Sequence, residues 1–244
     1  IKQLLDYMFY FKLNKFHLNI TDDEGWRIEI PGLPELTEVG SKRGFTVDES
    51  QNLNPAYGSG YDVNKLPGSG YLKREEFIEI IKYANERNIE VIPEINFPAH
   101  SRAAIKSMIT RYNRFMEIGD VESAEEYLLT DFEDQSEYIS AQRFNDNVIC
   151  VCRESSVRFF EKLVSEIENM FLEANSVIKT FHVGGDELPY GPWKKSPICN
   201  DFLSSNSEVN SVEDLPAYFF IEIMKILNQK NISMAGWEDV LLLH

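Results

Sequence analysis

An α/β fold built on a parallel sheet is predicted by two features of this 244-residue chain. Segments of helical and strand-like pattern alternate along it, which is how helices come to cover a parallel sheet. The strand-like segments also end in acids, histidine or tryptophan, and chemistry gathered at strand C-termini is the arrangement of a (β/α)8 barrel. The rival architecture, an open doubly wound sheet, lacks its mark here, because no glycine-rich phosphate loop follows the first strand.

The elements follow in order. Residues 2–13 carry Leu4, Met8 and Phe11 as a helical stripe, and residues 16–20 read as a short strand. Residues 31–72 are rich in Gly, Pro, Asn and Tyr without sustained periodicity; excursions of that length are functional or locally structured. Phe77, Ile80, Ile81 and Ala84 predict a helix over 73–88, followed by a strand over 89–95. Residues 101–135 read as helices with an acidic second half, Asp120 to Glu126. A short apolar run covers 148–152. The clearest helix is 155–174, where Phe160, Val164, Ile167 and Phe171 share a face and Ser155 or Ser156 is placed to cap it. A strand over 178–183, a helix over 215–229 and a strand over 232–236 complete the alternation.

Composition bounds the function. With 43% hydrophobic residues, 16 Phe, 11 Tyr and 3 Trp, the chain can bury a substantial core. A net charge of −16 argues against nucleic acid and anionic membranes as partners and suits a neutral or cationic ligand. No apolar run approaches the roughly 20 residues of a membrane span. Cys150 and Cys152 are two apart and would point to the same side of a strand, a poor geometry for a bridge. With Cys199 they show no metal-binding spacing and read as small, partly buried side chains.

The most informative run is Phe181-His182-Val183-Gly184-Gly185-Asp186-Glu187. It reads as a buried strand that stops where two acids begin. The glycines permit a sharp turn and close ligand approach. Adjacent carboxylates push one pKa up, and a proton donor beside an ionised partner is what glycosidic bond cleavage requires.

His-x-Gly-Gly-Asp-Glu resembles the active-site signature of the family-20 glycoside hydrolases, the β-N-acetylhexosaminidases. Three further segments are similar to family motifs, in the family's chain order. Asn14-Lys15-Phe16-His17-Leu18-Asn19-Ile20-Thr21-Asp22-Asp23-Glu24-Gly25-Trp26-Arg27 resembles the second-strand motif. Val91-Ile92-Pro93-Glu94-Ile95-Asn96-Phe97-Pro98-Ala99-His100 resembles the third, and Met234-Ala235-Gly236-Trp237-Glu238-Asp239 the fifth. The resemblance implies one incomplete catalytic barrel domain over residues 1–244, holding strands two to five with long βα-loop insertions. Strand one would precede Ile1 and strands six to eight would follow His244, so that two sheet edges and half a core are exposed.

The same resemblance implies an exo-acting retaining glycosidase that removes terminal β-linked N-acetylglucosamine or N-acetylgalactosamine from glycans, with no metal or organic cofactor. Glu187 takes the role of general acid. Asp186 orients the substrate's 2-acetamido group, whose oxygen attacks the anomeric carbon. Asp22 and His100 form the pair supporting the acid, with Asp23 as the rival for Asp22. Trp237 walls the acetamido methyl pocket. His182 contacts sugar hydroxyls or braces the floor of the site. His17 and Glu238 are further candidate substrate contacts, helix capping being the alternative for Glu238. Trp26 and Arg27 hold the second-strand loop. A secreted, periplasmic or cell-envelope location is implied with the glycan substrate. The chain departs from the family pattern at His17-Leu18-Asn19, where His-x-His is usual, and at Asn96 and Ala99, where Asp and Gly are common. Two rival readings are a metal-dependent barrel hydrolase using His17, His100, His182 and Asp186, and a carbohydrate-binding barrel without catalysis.

Overall fold

The computed structural model describes residues 1–64 and 67–242. Helix α1 (Lys2–Tyr10) leads into β1 (Lys15–Asn19), and a small hairpin follows, β2 (Thr21–Asp22) with β3 (Gly25–Trp26). A long excursion, in which the short α2 (Glu35–Glu38) is the one helix among the described residues, precedes α3 (Arg74–Asn85) and β4 (Glu90–Phe97). Then come α4 (Arg102–Glu117), α5 (Val121–Glu125), α6 (Glu154–Glu173), β5 (Thr180–Gly184), α7 (Pro197–Ser205), α8 (Leu215–Gln229) and β6 (Ser233–Ala235).

The four long-range strands form one parallel sheet in the order β1-β4-β5-β6. Helices α1, α3, α6 and α8 form a row outside it, each touching the next. Strand period decides what faces which way. Phe16, Val91 and Phe181 are buried on the helix side. On the opposite face, register aligns Asn19, Glu94, His182 and Ala235 across the four strands. Four polar or small residues in one row cannot form an apolar core, so this face is built for something other than packing.

Between sheet and helices lies an aromatic cluster. Phe160 from α6 sits 5.5 Å from Phe97 and 5.7 Å from Phe181, ring centre to ring centre, both edge to face. Phe159 and Phe219 complete it at 6.3 Å from Phe97. All five rings are essentially inaccessible.

Helices over 74–85, 154–173 and 215–229 and all four parallel strands match the periodicity-based expectations. Four expectations need correction. In α1 the buried residues are Leu5 and Met8, while Leu4 and Phe11 are exposed, so the apolar stripe there does not mark the inward face. Helix α6 is not capped by serine. Its cap position is Arg153, and Ser155 and Ser156 fall inside the first turn, where their hydroxyls donate to Leu128 O and Cys150 O. The helical reading of residues 101–135 holds through α5, which carries the acidic stretch, but the chain leaves helix after Glu125. The cysteines are not all free: Cys152 and Cys199 form a disulfide, and Cys150 is a buried thiol. Residues 148–152 turn instead of extending, which sends Cys152 towards α7. Helix α7 itself escaped the periodicity reading, although its start carries a readable signal: Ser196 accepts from Cys199 N at 3.1 Å and Pro197 opens the first turn.

Among the described residues, β1 pairs only with β4 and β6 only with β5. Beside β1, helix α1 and its exit expose Tyr7, Phe9, Tyr10, Phe11 and Leu13, a concentration of apolar surface unusual for a finished exterior.

Truncating Phe160 to Ala is expected to lower unfolding free energy by about 3–5 kcal/mol, read as a reduced urea midpoint with little change in slope. Peptide mapping without reductant should recover Cys152 linked to Cys199, with Cys150 alkylated only after denaturation.

Candidate active site

Each of the four parallel strands delivers residues at its C-terminal end. Beyond β1, the β2–β3 hairpin pairs Thr21 with Trp26 and Asp22 with Gly25. It is braced by the buried Trp26 ring, whose N–H donates to Ile28 O, and by Arg27, whose guanidinium donates to the carbonyls of Ser41, Gly68 and Gly70. Trp26 and Arg27 thus act on the loop and not on the site. Beyond β4, the backbone of His100 takes a left-handed conformation (φ 53°) just before α4.

Beyond β5, the two glycines are sterically required. Gly184 (φ 71°) and Gly185 (φ 92°) both occupy the left-handed region. A Cβ on Gly184 would strike the Asn96 side chain, and one on Gly185 would strike Val240. Glu187 is also left-handed (φ 51°), a strained backbone for a residue with a long side chain. Beyond β6, Trp237 N donates to Gly184 O at 2.8 Å, which ties this strand end to the turn that carries the acids.

Two polar clusters result. In the first, the His100 imidazole lies between two pairs of acids. Its Nδ1 is 3.4 Å from Asp22 and 3.3 Å from Asp23, and its Nε2 is 3.7 Å from Asp186 and 3.5 Å from Glu187. These contacts are long for hydrogen bonds, so attraction of charge adds to weak hydrogen bonding in holding the ring. Burial works against the charged imidazolium, but hydrogen bonding and charge from Asp22 and Asp23 prevail and raise its pKa to about 10. Asp23 is the better fixed of the two partners. It is 1% exposed and accepts from Asn147 Nδ2 at 2.9 Å and Arg102 N at 3.1 Å, whereas Asp22 is half exposed. Asp186 is pushed up by burial, against the His100 charge that pulls it down. Its Oδ1 is buried without a hydrogen-bond partner. Glu187 is half exposed and accepts from Gln142 Nε2 at 2.6 Å.

The second cluster centres on Glu94, which is 1% exposed. His17 Nε2 lies 2.6 Å from its Oε2, His182 Nδ1 lies 3.5 Å from its Oε1, and Trp237 Nε1 donates to Oε1 at 3.0 Å. Burial would raise the Glu94 carboxyl, but hydrogen bonds from His182 and Trp237 and the charge of both histidines hold it below the usual range. His182 is thus a buried partner of Glu94. Trp237 is 45% exposed and is not a core residue. Glu238 opens a single 3-10 turn and is exposed. The four residues imagined as one metal site are divided between the clusters. Two other sets have donor atoms close enough to hold an ion: His17 with Glu94 and His182, and Asp22 with Asp23 and His100.

Three site residues escaped the sequence reading. Glu94 carried a signal, an acid inside an otherwise apolar strand. Gln142 and Asn147 carried none, since they lie in an aperiodic insertion whose fold decides what they reach. The departures at Asn96 and Ala99 are buried; Asn96 bonds Thr21 O at 2.9 Å and supports the hairpin.

The profile of "Glycosyl hydrolase family 20, catalytic domain" matches residues 1–244. This chain belongs to glycosyl hydrolase family 20. Among its family-20 relatives, a β-hexosaminidase of Vibrio vulnificus is 44% identical over 238 residues, covering 97% of this chain and 28% of the relative. An N,N'-diacetylchitobiase of Vibrio harveyi is 42% identical over 265 residues, covering 96% and 30%. The solved structure of an exo β-N-acetylglucosaminidase from Vibrio harveyi, in complex with N-acetylglucosamine, matches with TM-score 0.80 and 35% identity over 98% of this chain and 32% of that one. The chain thus spans under a third of the length of these relatives. The family and its solved structures make the four-stranded sheet with its outer helices part of a (β/α)8 barrel.

The raised pKa of His100 has a defined pH signature. Its folded value, about 10, exceeds the unfolded value near 6.5. The stability it contributes is full below pH 6.5 and is lost as pH rises through 10. The stability gap between wild type and His100→Gln, measured by urea unfolding, should be level between about pH 5, above the carboxylate range, and pH 6.5, and close steadily from there to pH 10.

Proposed function

We propose that this chain is the part of a family-20 catalytic barrel that carries the acid pair of an exo-acting β-N-acetylhexosaminidase, removing terminal β-linked N-acetylglucosamine or N-acetylgalactosamine from glycans. The observation that carries the reading is His100 between Asp22–Asp23 and Asp186–Glu187, at the C-terminal end of a parallel sheet.

Each step has a residue suited to it. Glu187 protonates the departing glycosidic oxygen and later takes a proton from the attacking water. Gln142 occupies one of its oxygens. The substrate's acetamido oxygen is the nucleophile, and it closes an oxazolinium ring at the anomeric carbon with retention. Asp186 accepts the acetamido N–H, a part for which its buried, unbonded Oδ1 is suited, and its negative charge offsets that of the ring as it forms. His100 supplies the positive charge that favours ionised Asp186 when both acids are charged. Trp237 offers an apolar ring face to the acetamido methyl. None of these steps calls for a metal or an organic cofactor.

The unpaired edges at β1 and β6 and the exposed aromatic residues of α1 support placing this chain as an incomplete barrel domain, with further strands covering those surfaces. Among the described residues no helix is long and apolar enough to cross a membrane. The Cys152–Cys199 disulfide and a glycan substrate both favour an exported or cell-envelope location. The acidic net charge of −16 disfavours nucleic acid as a partner.

Release of the aryl alcohol from an aryl β-N-acetylglucosaminide by the full-length protein tests the reading. Glu187→Gln and Asp186→Asn should each reduce kcat/KM by about 100-fold or more, and EDTA should leave the wild type unaffected. An inactive wild type, or activity untouched by both substitutions, overturns the proposal.

A further inference from the structure

The reaction uses the Asp186–Glu187 pair and the Trp237 ring but gives Glu94 no task, although burying a carboxylate is costly unless it is well paired. We infer that Glu94 is a positioning residue that acts through Trp237, fixing the indole as a wall against the substrate's N-acyl group and so setting how strictly the site rejects larger acyl groups. The inference rests on the functional reading above.

Trp237 needs such a tether. It stands 45% exposed on the turn after β6, outside the buried core. Two hydrogen bonds fix it. Its backbone N–H reaches Gly184 O at 2.8 Å, which sets its distance from the Gly-Gly turn and the acids beyond. Its indole N–H reaches Glu94 Oε1 at 3.0 Å, which sets the rotation of the ring. The imidazoles of His17 and His182, with centres 5.7 Å and 5.1 Å away, pack beside the ring and limit its tilt.

Glu94 can serve as a fixed point because it cannot move. It lies on β4, paired on both sides by β1 and β5, and His17 holds its second oxygen at 2.6 Å. An aromatic wall rejects a larger group only if it stays within about 0.5 Å of its place. One methylene in an apolar pocket is worth roughly 10- to 200-fold in kcat/KM, and a ring free to rotate forfeits most of that.

The test compares aryl β-N-acetyl- and β-N-propionylglucosaminides on the full-length protein and on Trp237→Phe, Glu94→Leu and the double variant. Trp237→Phe keeps an aromatic face, removes the tethering N–H along with part of the ring and sits at the surface, so it remains informative even if Glu94→Leu fails to fold. Acetyl-over-propionyl discrimination in kcat/KM should fall about tenfold in Trp237→Phe, through a raised KM for the acetyl substrate and a lowered KM for the propionyl one. Glu94→Leu, which leaves the indole N–H no acceptor, should lower it too, and the double variant should be no worse than Trp237→Phe alone, because the link is already gone there. Unchanged discrimination in Trp237→Phe, with an active wild type, overturns the inference and leaves the functional reading intact, as do additive losses in the double variant. A wild type inactive on both substrates overturns both.

Discussion

The site depends on one buried positive charge. Four carboxylates from two different loops lie within 4 Å of the His100 ring, and without its proton they would repel one another. The imidazolium therefore joins loops as well as charges: it lies between the hairpin after β1 and the turn after β5. Its left-handed backbone places the ring between them, so the strain at His100 is part of the same arrangement.

The long excursions support this charge and do not merely surround it. Arg102, in the first turn of α4, forks onto Glu49 from the first excursion and donates through Nε to Asp146 of the second at 2.7 Å. Its backbone N–H reaches Asp23. Lys106, one turn on, also reaches Asp146 at 2.7 Å. The second excursion grips both ends of the His100 relay, through Asn147 on Asp23 and Gln142 on Glu187. Both segments are thereby anchored on the helix that begins beside His100.

Much of the fold was legible because periodicity reports burial directly. Helix α6 and strand β5 announce themselves through Phe160, Val164 and Ile167 and through the apolar run into Gly184, and both are where they were expected. Helix α1 misled because its exposed side is as apolar as its buried one. The acid pair, His100 and Trp237 could be named from motifs, since each sits at the end of a readable strand. Glu94, Gln142 and the Cys152–Cys199 bridge were not found, for a shared reason. Their partners lie 45 to 143 positions away along the chain, and no local pattern records which distant segments a loop will touch.

The paired anchoring at Arg102 also bears on how such a site can diversify. Loops on a barrel are often treated as interchangeable parts, each free to vary while the strands keep the chemistry. Here Glu49 and Asp146 share one guanidinium, so the two excursions are a single heritable unit. A graft that replaces one and leaves the other takes away one of the two acids that balance Arg102 and Lys106. Recombination between relatives would have to carry both segments together, with α4 as the piece between them.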